Sequence, residues 1–126
     1  MSVAAALPDY AVHHPGGSAH GGTVFLLHGA FGAKEYWRQQ VQALTGAGWR
    51  VVGWDAPGYG LSALPAPLTI DHCARALARL LEREGGTCNV VMGHSMGGMI
   101  AQQTWRYARE RIHGYVFSAT SAARSE

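Results

Sequence analysis

The stretch Asn89-Val90-Val91-Met92-Gly93-His94-Ser95-Met96-Gly97-Gly98 decides the fold. Residues 89–92 form a short apolar run stopped by glycine, and from Met96 the pattern repeats near 3.6 residues through about position 111. The stretch therefore reads as a buried strand, a sharp turn and a helix. Within it, residues 93–97 spell G-x-S-x-G at the junction of strand and helix, the context in which that string carries chemistry. A serine on such a turn adopts a strained backbone that lifts its hydroxyl above the sheet, and the glycines two places to either side let strand and helix approach. The helix starting at Met96 directs its unpaired N–H groups and positive dipole end beside Ser95, where an oxyanion would form.

Working outward, residues 23–27, 49–54 and 112–117 are further continuous apolar runs, and residues 34–45 and 69–84 carry helical periodicity. In 34–45, Trp37, Val41 and Leu44 share a face, and Gly46 and Gly48 follow. In 69–84, Ile70, Cys73, Ala74, Leu77, Leu80 and Leu81 make one stripe, with Asp71 in the first turn and Gly85-Gly86 after the last. Continuous apolar strands alternating with amphipathic helices specify an α/β chain with a mostly parallel sheet and flanking helices. Residues 1–22 are a weakly patterned lead-in with at most a short strand at 10–13, residues 23–118 form the patterned domain, and 119–126 are an unpatterned tail.

Composition narrows the function. The chain has 126 residues, 48% hydrophobic and 14% charged, which is enough apolar matter for one core and excludes a disordered linker. The formal charge of +2 comes from scattered arginines, so neither nucleic acid nor an anionic membrane is an expected partner. No apolar stretch approaches the roughly 18 residues of a membrane span, and MSVAAALPDY lacks the basic start of a signal peptide, so the expected compartment is the cytoplasm. Cys73 and Cys88 match no metal or redox spacing and are both expected to be buried thiols. A glycine-rich turn after a strand could instead bind phosphate, but the single lysine, Lys34, lies outside any G-x-x-x-x-G-K-[ST], and no G-x-G-x-x-G follows a strand.

Three segments, residues 27–32 (LHGAFG), 55–62 (DAPGYGLS) and 93–98 (GHSMGG), resemble the α/β-hydrolase superfamily in its branch of single-domain esterases, lactonases and carbon–carbon bond hydrolases. Their order and the helices between them are similar over about residues 23–118. The resemblance implies a serine nucleophile at Ser95 and an oxyanion hole made by the backbone N–H groups of Met96 and Ala30, with Phe31 the fallback for Ala30. It implies no metal or organic cofactor. Phe31, Tyr59 and His94 are the candidate substrate-binding residues, although His94, adjacent to Ser95 and pointing the opposite way, is expected chiefly to position the turn. Asp55, although it ends a strand where open α/β sheets carry active sites, is expected to shape its loop, and His28 to hold structure by hydrogen bonds. His13, His14 and His20 lack a supporting carboxylate and read as a solvated segment, while Trp37 and Trp49 read as packing residues.

Serine needs a histidine to take its proton and a carboxylate to orient that histidine, in the family order serine, acid, histidine. Downstream of Ser95 the chain offers only His113, Glu110 and Glu126. His113 begins a strand at the far end of the sheet, Glu110 lies late in the departing helix, and Glu126 has no element to place it. The expectation is the N-terminal half of a longer hydrolase, a partial fold lacking the C-terminal strands, inactive as it stands, with 112–117 an aggregation-prone apolar edge. The leading function is hydrolysis of a small ester, thioester or lactone through an acyl-enzyme. Cleavage of a carbon–carbon bond by the same serine is the second reading, and a non-catalytic remnant or binding module the third. Epoxide hydrolase or dehalogenase chemistry is disfavoured because those relatives carry Asp at the nucleophile position. Oligomeric state is not legible.

Overall fold

The computed structural model describes residues 7–30, 32–59 and 69–119. Phe31, residues 60–62 of the second motif and Glu126 lie outside the described residues. The elements are β1 (Tyr10–His13), β2 (Gly22–Leu27), a 3-10 turn (Lys34–Trp37), α1 (Arg38–Gly46), β3 (Arg50–Trp54), α2 (Ile70–Glu84), β4 (Cys88–His94), α3 (Met96–Ala108), a second 3-10 turn (Arg109–Arg111) and β5 (Gly114–Ser118). The sheet order is β1-β3-β2-β4-β5, with β1 antiparallel to β3 and every other pair parallel. The α/β class and mostly parallel sheet read from the sequence are thus present.

Both faces of the sheet are covered, which is why its central strands are continuous apolar runs and do not alternate. On one face α2 and α3 bury Phe25, Leu27, Val52, Trp54, Leu77, Leu80, Leu81 and Ile100 in the main core. On the other, Trp37 packs with Val24, Leu26 and Val51, and Val41 and Leu44 of α1 lean on that cluster half-buried. Each fully buried Leu or Phe contributes roughly 1.5–3 kcal/mol over an exposed one. The α2 stripe lands as its spacing requires, and Thr69 caps the helix by accepting the His72 N–H at Oγ1 (2.9 Å).

Several expectations are corrected. Residues 34–37 are 3-10 and only then α-helical, because the Lys34 N–H is held by Asp55 Oδ1 (2.8 Å) at the end of β3. The last strand begins at Gly114: Ile112 and His113 form a linker tied to Asn89, whose carbonyl accepts His113 N–H (2.8 Å) and whose own N–H goes to His113 Nδ1 (2.9 Å). The cysteine expectation holds for one thiol only. Cys73 lies on the buried face of α2, whereas Cys88, the first residue of β4, is exposed. The short strand read at 10–13 is present as β1, fixed by its ladder to β3 and by Tyr10 Oη donating to Glu84 Oε2 (2.7 Å).

Candidate active site

Parallel strands share one direction, so the C-terminal ends of β2, β3, β4 and β5 bring Gly29, Asp55, Ser95 and Ser118 to one rim of the sheet. Ser95 sits there with φ 54° and ψ −114°, a left-handed conformation that costs a non-glycine residue about 1–3 kcal/mol. Its side chain is exposed. Its carbonyl accepts the N–H of Gly98 (3.0 Å) and of Met99 (3.3 Å), so it is the N-cap of α3, yet its hydroxyl does not cap the helix. Met96 opens α3, at a position whose N–H has no intrahelical acceptor.

The flanking glycines are there for space. A Cβ on Gly93 would lie 2.5 Å from the backbone of Gly97 and Gly98, and one on Gly97 would run into the Leu27 carbonyl. Those contacts press α3 against the ends of β4 and β2. The turn after β2 is equally close: a Cβ on Gly29 would lie 3.3 Å from His94 Cδ2 and from Ser95 Cβ. Gly32 N–H donates to the Gly29 carbonyl (3.1 Å), closing the turn that carries exposed Ala30. Ala30 and Met96 therefore lie on the two backbone segments that border Ser95.

His28 and Asp55 hold this rim together. His28 is fully buried and accepts the Ala56 N–H at Nε2 (3.0 Å), which makes Nδ1 the protonated nitrogen, donating to the Gly29 carbonyl (2.7 Å). Asp55, 1% exposed, accepts from Lys34 N and, at Oδ2, from Lys34 Nζ (2.9 Å). Asp9 (3.0 Å) and Glu35 (3.3 Å) also pair with that ammonium, and Asp55 above all raises the lysine pKa. His28 makes the structural hydrogen bonds expected of it, and Asp55 ties the end of β3 to the Lys34 turn.

Tyr59 lies against the site: its hydroxyl is 3.7 Å from Met96 Sδ and its ring meets His28 edge-on at 5.2 Å. His94 is half-buried, its Nδ1 is 3.2 Å from Ser118 Oγ, and its ring stacks on Tyr36 at 5.4 Å. His113 is bonded to Asn89 at the opposite end of β4, and Glu110 lies in the turn after α3, so neither is at this rim. Sequence reading misses Tyr36 and Ser118. Ser118 is found only through the pairing of β4 with β5, which sets it opposite His94, and nothing in the linear pattern marks Tyr36. Among the described residues, no group of three His, Cys, Asp or Glu side chains could hold a metal ion, and no helix is long and apolar enough to cross a membrane.

Comparison with known proteins agrees with this fold. The chain is 35% identical over 96 residues to the "Putative carbamate hydrolase RutD" of Variovorax paradoxus, covering 75% of this chain and 35% of that protein. It is 35% identical over 91 residues to Epoxide hydrolase B of Mycobacterium tuberculosis, covering 70% of this chain and 25% of the relative. The crystal structure of a probable hydrolytic enzyme from Pseudomonas aeruginosa superposes with a TM-score of 0.79 at 32% identity, covering 88% of this chain and 36% of that one. The chain thus spans about a third or less of these proteins, consistent with a partial fold. The family profile described as alpha/beta hydrolase fold matches residues 22–125, from the first glycine of β2 onward, and the chain belongs to that family.

Proposed function

We propose that this stretch is the nucleophile-bearing part of a serine hydrolase that acts on a small ester, thioester or lactone through an acyl-enzyme at Ser95. The observation that carries the reading is the exposed Ser95 side chain on a left-handed turn, bordered by the Gly29–Gly32 turn and the start of α3. The strain is not offset by a helix cap, since the hydroxyl makes no capping bond to α3. In the reaction, Oγ attacks the substrate carbonyl as its proton passes to a histidine. The N–H groups of Met96 and Ala30 stabilise the oxyanion, with Phe31 the alternative to Ala30. Collapse expels the alcohol, thiol or lactone oxygen, and water then releases the acid. Tyr59 forms part of the substrate wall. The triad histidine and acid come from outside the described residues, because His113 and Glu110 are held elsewhere.

Likeness to a carbamate hydrolase fits the same chemistry, with a carbamoyl carbonyl in place of the acyl one. Likeness to an epoxide hydrolase does not extend to the nucleophile, because Ser95 stands where an alkyl-enzyme mechanism uses a carboxylate.

The test is fluorophosphonate labelling, with peptide mapping, of the protein extended through its triad histidine and acid, which serves as the parent chain, beside Ser95→Ala and with a short-chain aryl ester as reporter of turnover. The expected result is a phosphonate on the Ser95 peptide that disappears in the variant. Label surviving Ser95→Ala would remove this serine from the role, and an unlabelled parent chain would favour a binding module.

A further inference from the structure

We infer that His94 is a positioning residue that fixes the nucleophile turn to two neighbours at once, the turn after β2 and the end of β5, with Tyr36 as the outer wall of its seat. This rests on the nucleophile reading of Ser95 for its catalytic consequence, but its geometry stands independently. The His94 ring has one side against Tyr36, at 5.4 Å and 20° between planes, and Cδ2 3.3 Å from where a Gly29 Cβ would be. Tyr36 is 54% exposed and turns its own edge to buried Trp37 (5.0 Å), which anchors it to the second core cluster. The opposite connection runs to Ser118, which meets this segment twice. Ser118 Oγ is 3.2 Å from His94 Nδ1, and the Ser118 carbonyl accepts the Ser95 N–H (2.9 Å).

The consequence is a division of labour within one side chain. The ring packs beside Gly29, where the turn that carries Ala30 begins, and limits how that turn can shift beside Ser95. The Nδ1 atom holds Ser118 so that its carbonyl stays aligned with the Ser95 N–H, leaving φ of Ser95 no freedom to relax to negative values. A lateral error of a fraction of an ångström between donor turn and nucleophile is what an oxyanion hole cannot tolerate. His94 acts through Gly29, Ser118 and Ser95 and itself takes no proton in the reaction.

Two independent bonds report the two functions, and amide hydrogen exchange reads them separately: Gly32 N–H to the Gly29 carbonyl for the turn, and Ser95 N–H to the Ser118 carbonyl for the strand end. Val91, buried in mid-strand, is the internal control for global opening. His94→Ala should speed exchange at both Gly32 and Ser95 by about tenfold or more without changing Val91. His94→Phe retains the ring and should disturb Ser95 alone. His94→Asn retains a polar group near Ser118 and should disturb Gly32 alone, as should Tyr36→Ala at the exposed position, which keeps the test available if a His94 variant fails to fold.

Fluorophosphonate kinetics then separate positioning from bulk stability: the maximal labelling rate should fall about 10–100-fold in His94→Ala, recover in part in the Phe and Asn variants, and leave the half-saturating probe concentration within about twofold. Wild-type exchange at Gly32 and Ser95 in His94→Ala overturns the inference. An unlabelled parent chain with the expected exchange pattern sinks the nucleophile reading and leaves the positioning of the turn by His94 standing.

Discussion

The imidazole of His28 bridges two backbone segments, accepting the N–H of Ala56 at Nε2 and giving its Nδ1–H to the carbonyl of Gly29. With no solvent at the ring, both backbone groups depend on it. His28→Ala is expected to cost about 2–5 kcal/mol, the sum of two buried groups left unpaired, measured by urea unfolding. Nitrogen chemical shifts should show a neutral ring protonated at Nδ1. A protonated Nε2 would contradict the assignment.

Glycines in this chain differ by what surrounds them. Gly97→Ala meets the Leu27 carbonyl and Gly93→Ala meets the Gly97 backbone, neither of which can swing aside. Each should destabilise by about 3 kcal/mol or more and abolish labelling of Ser95. Gly46→Ala, at the end of α1 with open space around the added carbon, should instead stabilise by about 0.4–1 kcal/mol. Equal melting temperatures for Gly97→Ala and the parent chain would refute the packing.

Ser95 spends conformational energy that its hydroxyl does not recover from the helix. Ser95→Gly should therefore raise stability by about 1 kcal/mol while eliminating phosphonate labelling. A loss of stability comparable to that of the core glycines would show that the turn is unstrained.

Cys88 and Cys73 should react as different classes of thiol. Burial pushes the Cys73 thiol up to about 11, so near neutral pH it is protonated as well as inaccessible. Titration with a disulfide reagent should show one fast equivalent, lost in Cys88→Ser, and a second only on unfolding.

Glu84 joins β1, β3 and α2: its carboxylate accepts from Tyr10 and from Arg50 Nη2, while its carbonyl accepts from Arg50 Nη1 (2.7 Å). The Tyr10 hydroxyl and the Arg50 guanidinium lower its pKa, burial opposing them. The unfolded state therefore takes up its proton first. The stabilisation is complete above the ordinary carboxylate value and lost as pH falls through the lower folded one. Tyr10, raised chiefly by Glu84, works in the other sense: its share is present below the ordinary phenol value and lost as pH climbs through the higher folded one. Glu84→Gln should flatten the acid limb of the stability profile and loosen β1, visible as faster exchange of the Val12 amide.

Much of this was legible in the linear chain, for local reasons. The α2 stripe from Cys73 to Leu81 and the turn at Gly93–Gly97 each express a short-range rule, a period of 3.6 or a missing Cβ where backbones touch. The boundaries slipped where a distant partner competes with local pattern, as when Asp55 takes the Lys34 N–H and tightens the first turn before α1, or Asn89 captures His113 before β5.

By itself, then, the order of residues determined an α/β chain with Ser95 on a strand-to-helix bend, because periodicity and glycine placement act over a few residues. Only the tertiary structure decided what lies beside that serine: the parallel pairing of β4 with β5 brings Ser118 to His94, and the packing of Trp37 against β2 and β3 delivers Tyr36 to the same ring. It also decided that Cys88 faces solvent and that the short strand of the lead-in pairs antiparallel with β3 at one edge of the sheet. Those outcomes depend on which strand ends meet and which surfaces remain to be covered, and no window of neighbouring residues contains that information.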